Sequence, residues 1–258
     1  MVLHDYCLKI IARYLRSNNN LLVSLIQLNK RFYMIRDKII FNLSLSFNAS
    51  MIALKDRPYG WNLVHTLYYY FDNKNISEID NLKNVTGLYS MIGQRQRNTF
   101  GKIDLSKFHF CKRMDINRCN EFLDFSPLKN LRKITICMCD GAVDLSPLKY
   151  VDKITIISCR RLIDVSPLAN VHTVEIINCD SIKDVSALAN VNKLILNSLD
   201  RLTDVSALGN VKELTLEYLD NVTDITALKM VEHLSISDCK QLVEIQTGYF
   251  RNINMVNV

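Results

Sequence analysis

The sequence predicts an α/β solenoid: short strands stacked one per rung into a parallel sheet on a concave face, with 3₁₀ and turn segments on the convex face and a small helical head. Three observations predict it. Asp124, Asp144, Asp164, Asp184, Asp204 and Asp224 recur at an unbroken spacing of twenty residues. Between them the apolar residues repeat the same steps, as in Val165, Leu168, Val171, Val174, Ile176, Cys179 and Ile182. Residues 1–41 carry helical spacing and no repeat. Self-similarity at such a period marks a chain whose units cannot bury their apolar faces alone and must stack.

In the head (residues 1–41), Leu3, Leu8, Ile11 and Leu15 fall on one helical face, which ends in a polar Ser17-Asn18-Asn19-Asn20 break. Leu21, Leu22, Leu25 and Leu28 make a second amphipathic stretch that runs on through Phe32 and Ile35. So short a segment with so much apolar surface needs something to pack on, either the first rung or another protein. The order also resembles an F-box: an opening leucine, a helix ending in Tyr14-Leu15, then Leu21-Leu22-x-x-Leu25 and the Leu28-Asn29-Lys30-Arg31-Phe32 helix. Leu3-His4 stands where that family has Leu-Pro, and the loop after the first helix is all asparagine. The resemblance implies docking onto the Skp-type adaptor of a cullin–RING ubiquitin ligase. The residues it would use are Leu3, Leu8, Ile11, Leu15, Leu21, Leu25, Leu28 and Phe32. The residues alone allow a second reading, in which the helices cap the N-terminal edge of the solenoid.

Residues 42–103 hold irregular repeats. Val64-x-x-Leu67-x-Tyr69 is one degenerate unit, and Val85-x-x-Leu88 belongs to another that is followed by a six-residue insertion near Gln94–Phe100. Residues 104–258 hold the regular units. Their inward steps are 3, 3, 3, 2, 3 and 3. The single step of two, Val174 to Ile176, marks a strand with Glu175 facing the other way, and every unit repeats it. The steps of three suit turns and 3₁₀ segments. Phe250-x-x-Ile253-x-Met255 reads as a last strand one residue short of register. Val171-x-x-Val174-x-Ile176-x-x-Cys179-x-x-Ile182 resembles the leucine-rich repeat in its short form with Cys at the ladder position. Such repeats commonly share a chain with an F-box. The Asp-x-Ser-Pro-Leu segments are also similar to those of bacterial internalins, an extracellular reading opposed by free thiols and an N-terminus without a basic signal-peptide region.

Ser146-Pro147 and Ser166-Pro167 predict a serine N-cap with proline at the first helical position, with the preceding aspartate accepting backbone N–H groups in an Asx turn. One carboxylate per rung supplies too few oxygens for calcium. Cys119, Cys139, Cys159, Cys179 and Cys239 share one repeat position with Leu199 and Leu219, which makes it an apolar packing site. Cys137 should face outward, so Cys137 and Cys139 point apart and make a poor zinc pair. No metal or other cofactor is expected.

Net charge is +6, all of it in residues 1–60, where basic residues are dispersed along helices without the clustering expected of a nucleic-acid or membrane surface. No apolar run reaches the ~18 residues of a membrane helix. No Gly-rich phosphate loop, Gly-x-Ser-x-Gly elbow or His-Glu-x-x-His helix occurs, and the five histidines are isolated. The chain is expected to be a non-enzymatic cytoplasmic binding protein, with neither nucleic acid nor membrane as partner. A target protein would bind the outward strand residues: Lys133, Lys153, Ile157, Glu175, Ile177, Lys193, Ile195 and Glu217, with Tyr218 next to the last of them. The N-terminal half of the first outward column is basic and flanks an apolar patch of Cys137, Ile157, Ile177 and Ile195, which suits a partner with an acidic rim. The final strand offers an edge for self-association.

Overall fold

The computed structural model describes residues 41–44, 64–70, 87–91, 105–109, 111–118, 123–141, 144–242 and 253–256, the first three stretches by backbone alone. The helices and adaptor contacts expected over residues 1–40 lie outside the described residues, as does the insertion near residues 94–100. Eleven strands form one parallel sheet in chain order. They are β1 (Phe41–Ser44), β2 (Val64–Tyr70), β3 (Gly87–Met91), β4 (Arg113–Asn117), β5 (Lys133–Cys137), β6 (Lys153–Ile157), β7 (Thr173–Ile177), β8 (Lys193–Asn197), β9 (Glu213–Glu217), β10 (His233–Ser237) and β11 (Ile253–Val256). The architecture is a leucine-rich-repeat solenoid, each regular rung pairing its strand with a short turn or 3₁₀ segment. From Met114 to Leu234 every register step is twenty residues. Leu88 pairs Met114 at twenty-six, which accommodates the six extra residues, and Leu234 pairs Ile253 at nineteen.

Three of the steps of three in each regular rung are closed turns. Leu168 N–H donates to the Val165 carbonyl (2.9 Å), Val171 N–H to Leu168 (3.0 Å), and Ile182 N–H to Cys179 (3.2 Å). The same bonds recur as Leu188 to Val185, Val191 to Leu188, Leu202 to Leu199 and Leu208 to Val205. Backbone groups that follow apolar side chains into the core thus find their partners within the rung, as buried amides must. The 3₁₀ segments Ser146–Leu148, Ser166–Leu168 and Ser186–Leu188 are this pattern on the side away from the sheet. The step of two falls where the carbonyls and amides pair sideways with the neighbouring rungs. Val174, Ile176, Leu194 and Leu196 are sealed in the core, their shapes filling the space between sheet and turns.

Strand exit follows one rule. Arg118, Met138, Ser158, Asn178, Ser198, Tyr218 and Asp238 all have positive φ between 52° and 57°, and none is glycine. Asn and Asp tolerate this region; for the others it costs about 1 kcal/mol each. The bend aims the following residue inward and keeps its own N–H in the ladder. Ser158 N–H reaches the Ile177 carbonyl (2.8 Å) and Asn178 N–H the Asn197 carbonyl (2.9 Å). The residue aimed inward is Cys139, Cys159, Cys179, Leu199, Leu219 or Cys239, all buried. The thiols also donate to the carbonyl two residues back, Cys179 Sγ to Ile177 (3.4 Å) and Cys239 Sγ to Ser237 (3.4 Å). Burial pushes the Cys239 thiol up, and the Cys159 sulfur and burial together push up Cys179. The cysteine position is core packing with one added weak donor.

The serine-cap expectation is corrected. No serine side chain caps the 3₁₀ segments; the residue directly ahead of each is the apolar Leu145, Val165, Val185 or Val205. Aspartate supplies the acceptor: Oδ1 of Asp144, Asp164, Asp184, Asp204 and Asp224 takes the backbone N–H two residues on at 2.7–2.9 Å. An anion accepts an amide proton more strongly than a hydroxyl oxygen does, which is why the acid is the recurring residue. The hydroxyls of Ser166 and Ser206 lead in holding Asp164 and Asp204 below the usual carboxylate range, and backbone N–H bonds lead at Asp184 and Asp224.

Two predictions follow from this geometry. A carboxylate whose folded pKa is depressed adds stability above its unfolded value and loses it as pH falls through the folded one. The thermal midpoint should therefore hold down to about pH 4 and then decline. Asp184→Asn with Asp204→Asn, which keeps the Oδ1 acceptor, should flatten that acid decline relative to the parent in a pH series of melts. At Gly209, a Cβ would stand 2.6 Å from the Ala227 carbonyl oxygen, where the five-residue 3₁₀ segments Ser206–Asn210 and Thr226–Met230 approach most closely. Gly209→Ala should cost about 1–3 kcal/mol in denaturant melts; an unchanged midpoint would mean the rungs can separate there freely.

Candidate functional site

Alternation along each strand sends two side chains into the core and three out, so the sheet face is ruled into three columns. The first runs Arg113, Lys133, Lys153, Thr173, Lys193, Glu213, His233, the second Asp115, Thr135, Thr155, Glu175, Ile195, Thr215, Ser235, and the third Asn117, Cys137, Ile157, Ile177, Asn197, Glu217, Ser237. Neighbours within a column are one strand spacing apart, about 4.8 Å.

In the third column Cys137, Ile157 and Ile177 follow one another in register. All three are half-buried rather than sealed. Ile195 stands in the second column between Glu175 and Thr215. Burial raises the Cys137 thiol, so at neutral pH this position adds an apolar sulfur to the stripe. Cys137, Ile157 and Ile177 thus form one apolar run, with Ile195 in the adjacent column.

The basic column is more neutral than its composition indicates. Lys153 Nζ contacts Glu175 Oε1, and Thr155 Oγ1 donates to Glu175 Oε2 (2.8 Å). Lys193 pairs with Glu213 at 2.8 Å, and that hydrogen bond holds the Glu213 carboxyl below its ordinary value. Of the three lysines singled out in that column, Lys133 alone has no ion pair among the described residues. Asn197 Nδ2 donates to Glu217 Oε2 (2.6 Å), so Glu217 is also engaged. Tyr218 is exposed but lies past the strand at the positive-φ bend, off the column face. It shares the rim of the sheet with Met138.

Sequence reasoning placed rung β4 but did not single out its polar outward residues. Asp115 Oδ1 and Asn117 Oδ1 are buried without hydrogen-bond partners, while the other Asp115 oxygen takes Arg113 at 3.4 Å. No local signal distinguishes these two polar outward residues from their counterparts in later rungs. An open depression of about 350 Å³ lies farther along the sheet, lined by Lys193, Glu213, Thr215, His233, Ser235 and Asn254 among others. A hollow of about 490 Å³ on the turn side is bordered by Leu145, Leu162, Ile163, Pro167, Asp144 and Arg161. Among the described residues no group of three or more His, Cys, Asp or Glu side chains is arranged to hold a metal ion.

No family model and no curated protein matches this chain. Among solved structures it is similar to the functional domain of InlJ from Listeria monocytogenes, which includes a cysteine ladder; identity is 19%, the TM-score is 0.45, and the match covers 69% of this chain and 41% of that one. It is also similar to an internalin, InlF, from L. monocytogenes str. 4b F2365, at 16% identity and a TM-score of 0.45 over 76% of this chain and 74% of that one. Internalin C2 of the same strain matches at 18% identity and a TM-score of 0.40, over 68% and 72%.

Proposed function

We propose that the chain is a non-enzymatic scaffold whose concave sheet face binds a protein partner. The observation that carries this reading is the run of Cys137, Ile157 and Ile177, three half-exposed apolar side chains stacked in register on the outward sheet face. A regular sheet of one strand per rung holds them rigidly, so little side-chain or backbone freedom is lost on binding. The ion pairs Lys153–Glu175 and Lys193–Glu213 flank them, giving an apolar centre with a polar rim, as in protein interfaces. A cytoplasmic location belongs to the same proposal and is supported by the column of reduced, buried thiols.

A second reading adds a ubiquitin-ligase role, in which the head docks onto a Skp-type adaptor and the solenoid presents a target. Its support is the F-box-like order from Leu3 to Phe32 ahead of a leucine-rich-repeat solenoid.

Ile157→Asp with Ile177→Asp puts two charges at the centre of the stripe, at positions whose side chains already meet solvent. The fold should survive, as judged by circular dichroism. Affinity for the partner identified by affinity purification should drop by about 2 kcal/mol or more, the range of interface hot spots. Unchanged partner binding would move the site elsewhere. For the second reading, Leu25→Asp with Leu28→Asp should abolish co-purification of a Skp-type adaptor. Retention of the adaptor by that variant would remove the head from the interaction, and its absence from the parent's partners would leave the scaffold reading alone.

A further inference from the structure

One edge of the solenoid treats its cations differently at its two ends. Along the side where the strands begin, the later rungs pair each lysine with an acid one rung on: Lys193 with Glu213 (2.8 Å) and Lys212 with Glu232 (3.6 Å). In rungs β4 to β6 cations are stacked on cations. Arg113, Lys133 and Lys153 are direct register partners. Lys112 and Arg132 are also neighbours, because the N–H groups of Arg132 and Lys133 both donate to the Lys112 carbonyl (2.8 and 3.0 Å). Lys129 and Lys149 lie in the turns that lead into β5 and β6.

Among the described residues, the carboxylates paired at this corner are Asp115 with Arg113, Asp152 with Arg132 (3.6 Å) and Glu175 with Lys153. Lys112, Lys129, Lys133 and Lys149 remain without a carboxylate among the described residues, Lys149 lying 5.0 Å over the exposed Tyr150 ring. Like charges placed opposite one another across strands are destabilising, and the strands of the later rungs avoid them. An anion on this corner removes the repulsion. The corner also belongs to the strands that carry Cys137 and Ile157 at their far ends, about 13 Å across the sheet at strand rise.

We propose that the strand-start edge of rungs β4 to β6 binds an acidic polypeptide segment of the partner, continuous with the apolar stripe. This rests on the concave-face reading above. A polypeptide fits better than a nucleic acid for two reasons. Both arginines, the side chains best suited to phosphate, are already tied to Asp115 and Asp152, whose charges oppose a phosphate backbone. The neighbouring stripe also asks for apolar side chains, which a polypeptide supplies in alternation with acids.

The full chain is titrated with a fluorescein-labelled oligo-glutamate peptide and, separately, with an oligothymidine of equal charge, reading anisotropy. The peptide should bind, and more weakly as salt rises. Lys129→Gln with Lys149→Gln should weaken it about tenfold, whereas Lys183→Gln with Lys212→Gln, an equal change in net charge, should leave it within about twofold. Equal melting temperatures of the two double variants would show both folded. Absence of peptide binding, or the same loss in both double variants, overturns the site. Tighter binding of oligothymidine overturns the polypeptide assignment, and salt-sensitive self-association displaced by the peptide assigns the edge to a second copy instead. Oligo-glutamate has no apolar residue, so its result stands apart from that of the Ile157 and Ile177 variants, and failure of either reading shows separately.

Discussion

The fold depends on a backbone hydrogen bond spanning three residues, from the N–H of one inward side chain's residue to the carbonyl of the inward residue before it. Val171 to Leu168, Leu168 to Val165 and Ile182 to Cys179 are instances. An apolar side chain cannot enter a core without bringing its own amide along, and a buried amide left unpaired costs more than most single contacts return. At these three steps, spacing the inward residues by three closes that amide on the previous one. The spacing drops to two only in the strands, where the neighbouring rungs supply the partner. These two solutions recur once per period of twenty, and the core continues from rung to rung.

The steps of three and two are statements about which side chains are apolar, and apolarity is written in the sequence. Strand positions, inward cysteines, the long step into β4 and the short step into β11 were legible for that reason. The caps were half legible: Asp and Ser recur together, and only their relative placement shows that the carboxylate is the acceptor. The bend at Met138, Ser158 and Tyr218 was not legible, because glycine is the usual marker of positive φ and none stands there. Here the ladder bond and the buried side chain that follows override local preference. Ion pairing was least legible of all. Lys153 passes its direct register partner, Thr173, and takes Glu175 on the diagonal, while Lys193 takes Glu213 directly across. A lysine's reach covers both, so the choice belongs to rotamers and neighbours rather than to spacing.

Charge and shape divide the work of the sheet. The rungs are alike inside and differ outside, so the core contributes rigidity and the columns contribute identity. Nearest-neighbour stacking is the energetic unit of such a chain, which permits an unfavourable column of like charges in β4 to β6 to be carried by rungs that are otherwise well sealed. The surplus of lysine at that corner and the apolar run beside it are local departures from an averaged rung, and departures of this kind are where a repeat protein is free to be specific.

The periodic hydrogen bonding of the rungs has a consequence for heredity. Because the turns close within one period and the strands pair in a constant register, loss or duplication of sixty nucleotides in frame would remove or add one complete rung. The join would meet the same partners it met before, and the sheet would change length by about 4.8 Å. A gene built this way can lengthen, shorten or shuffle its recognition surface by unequal recombination while every intermediate still folds.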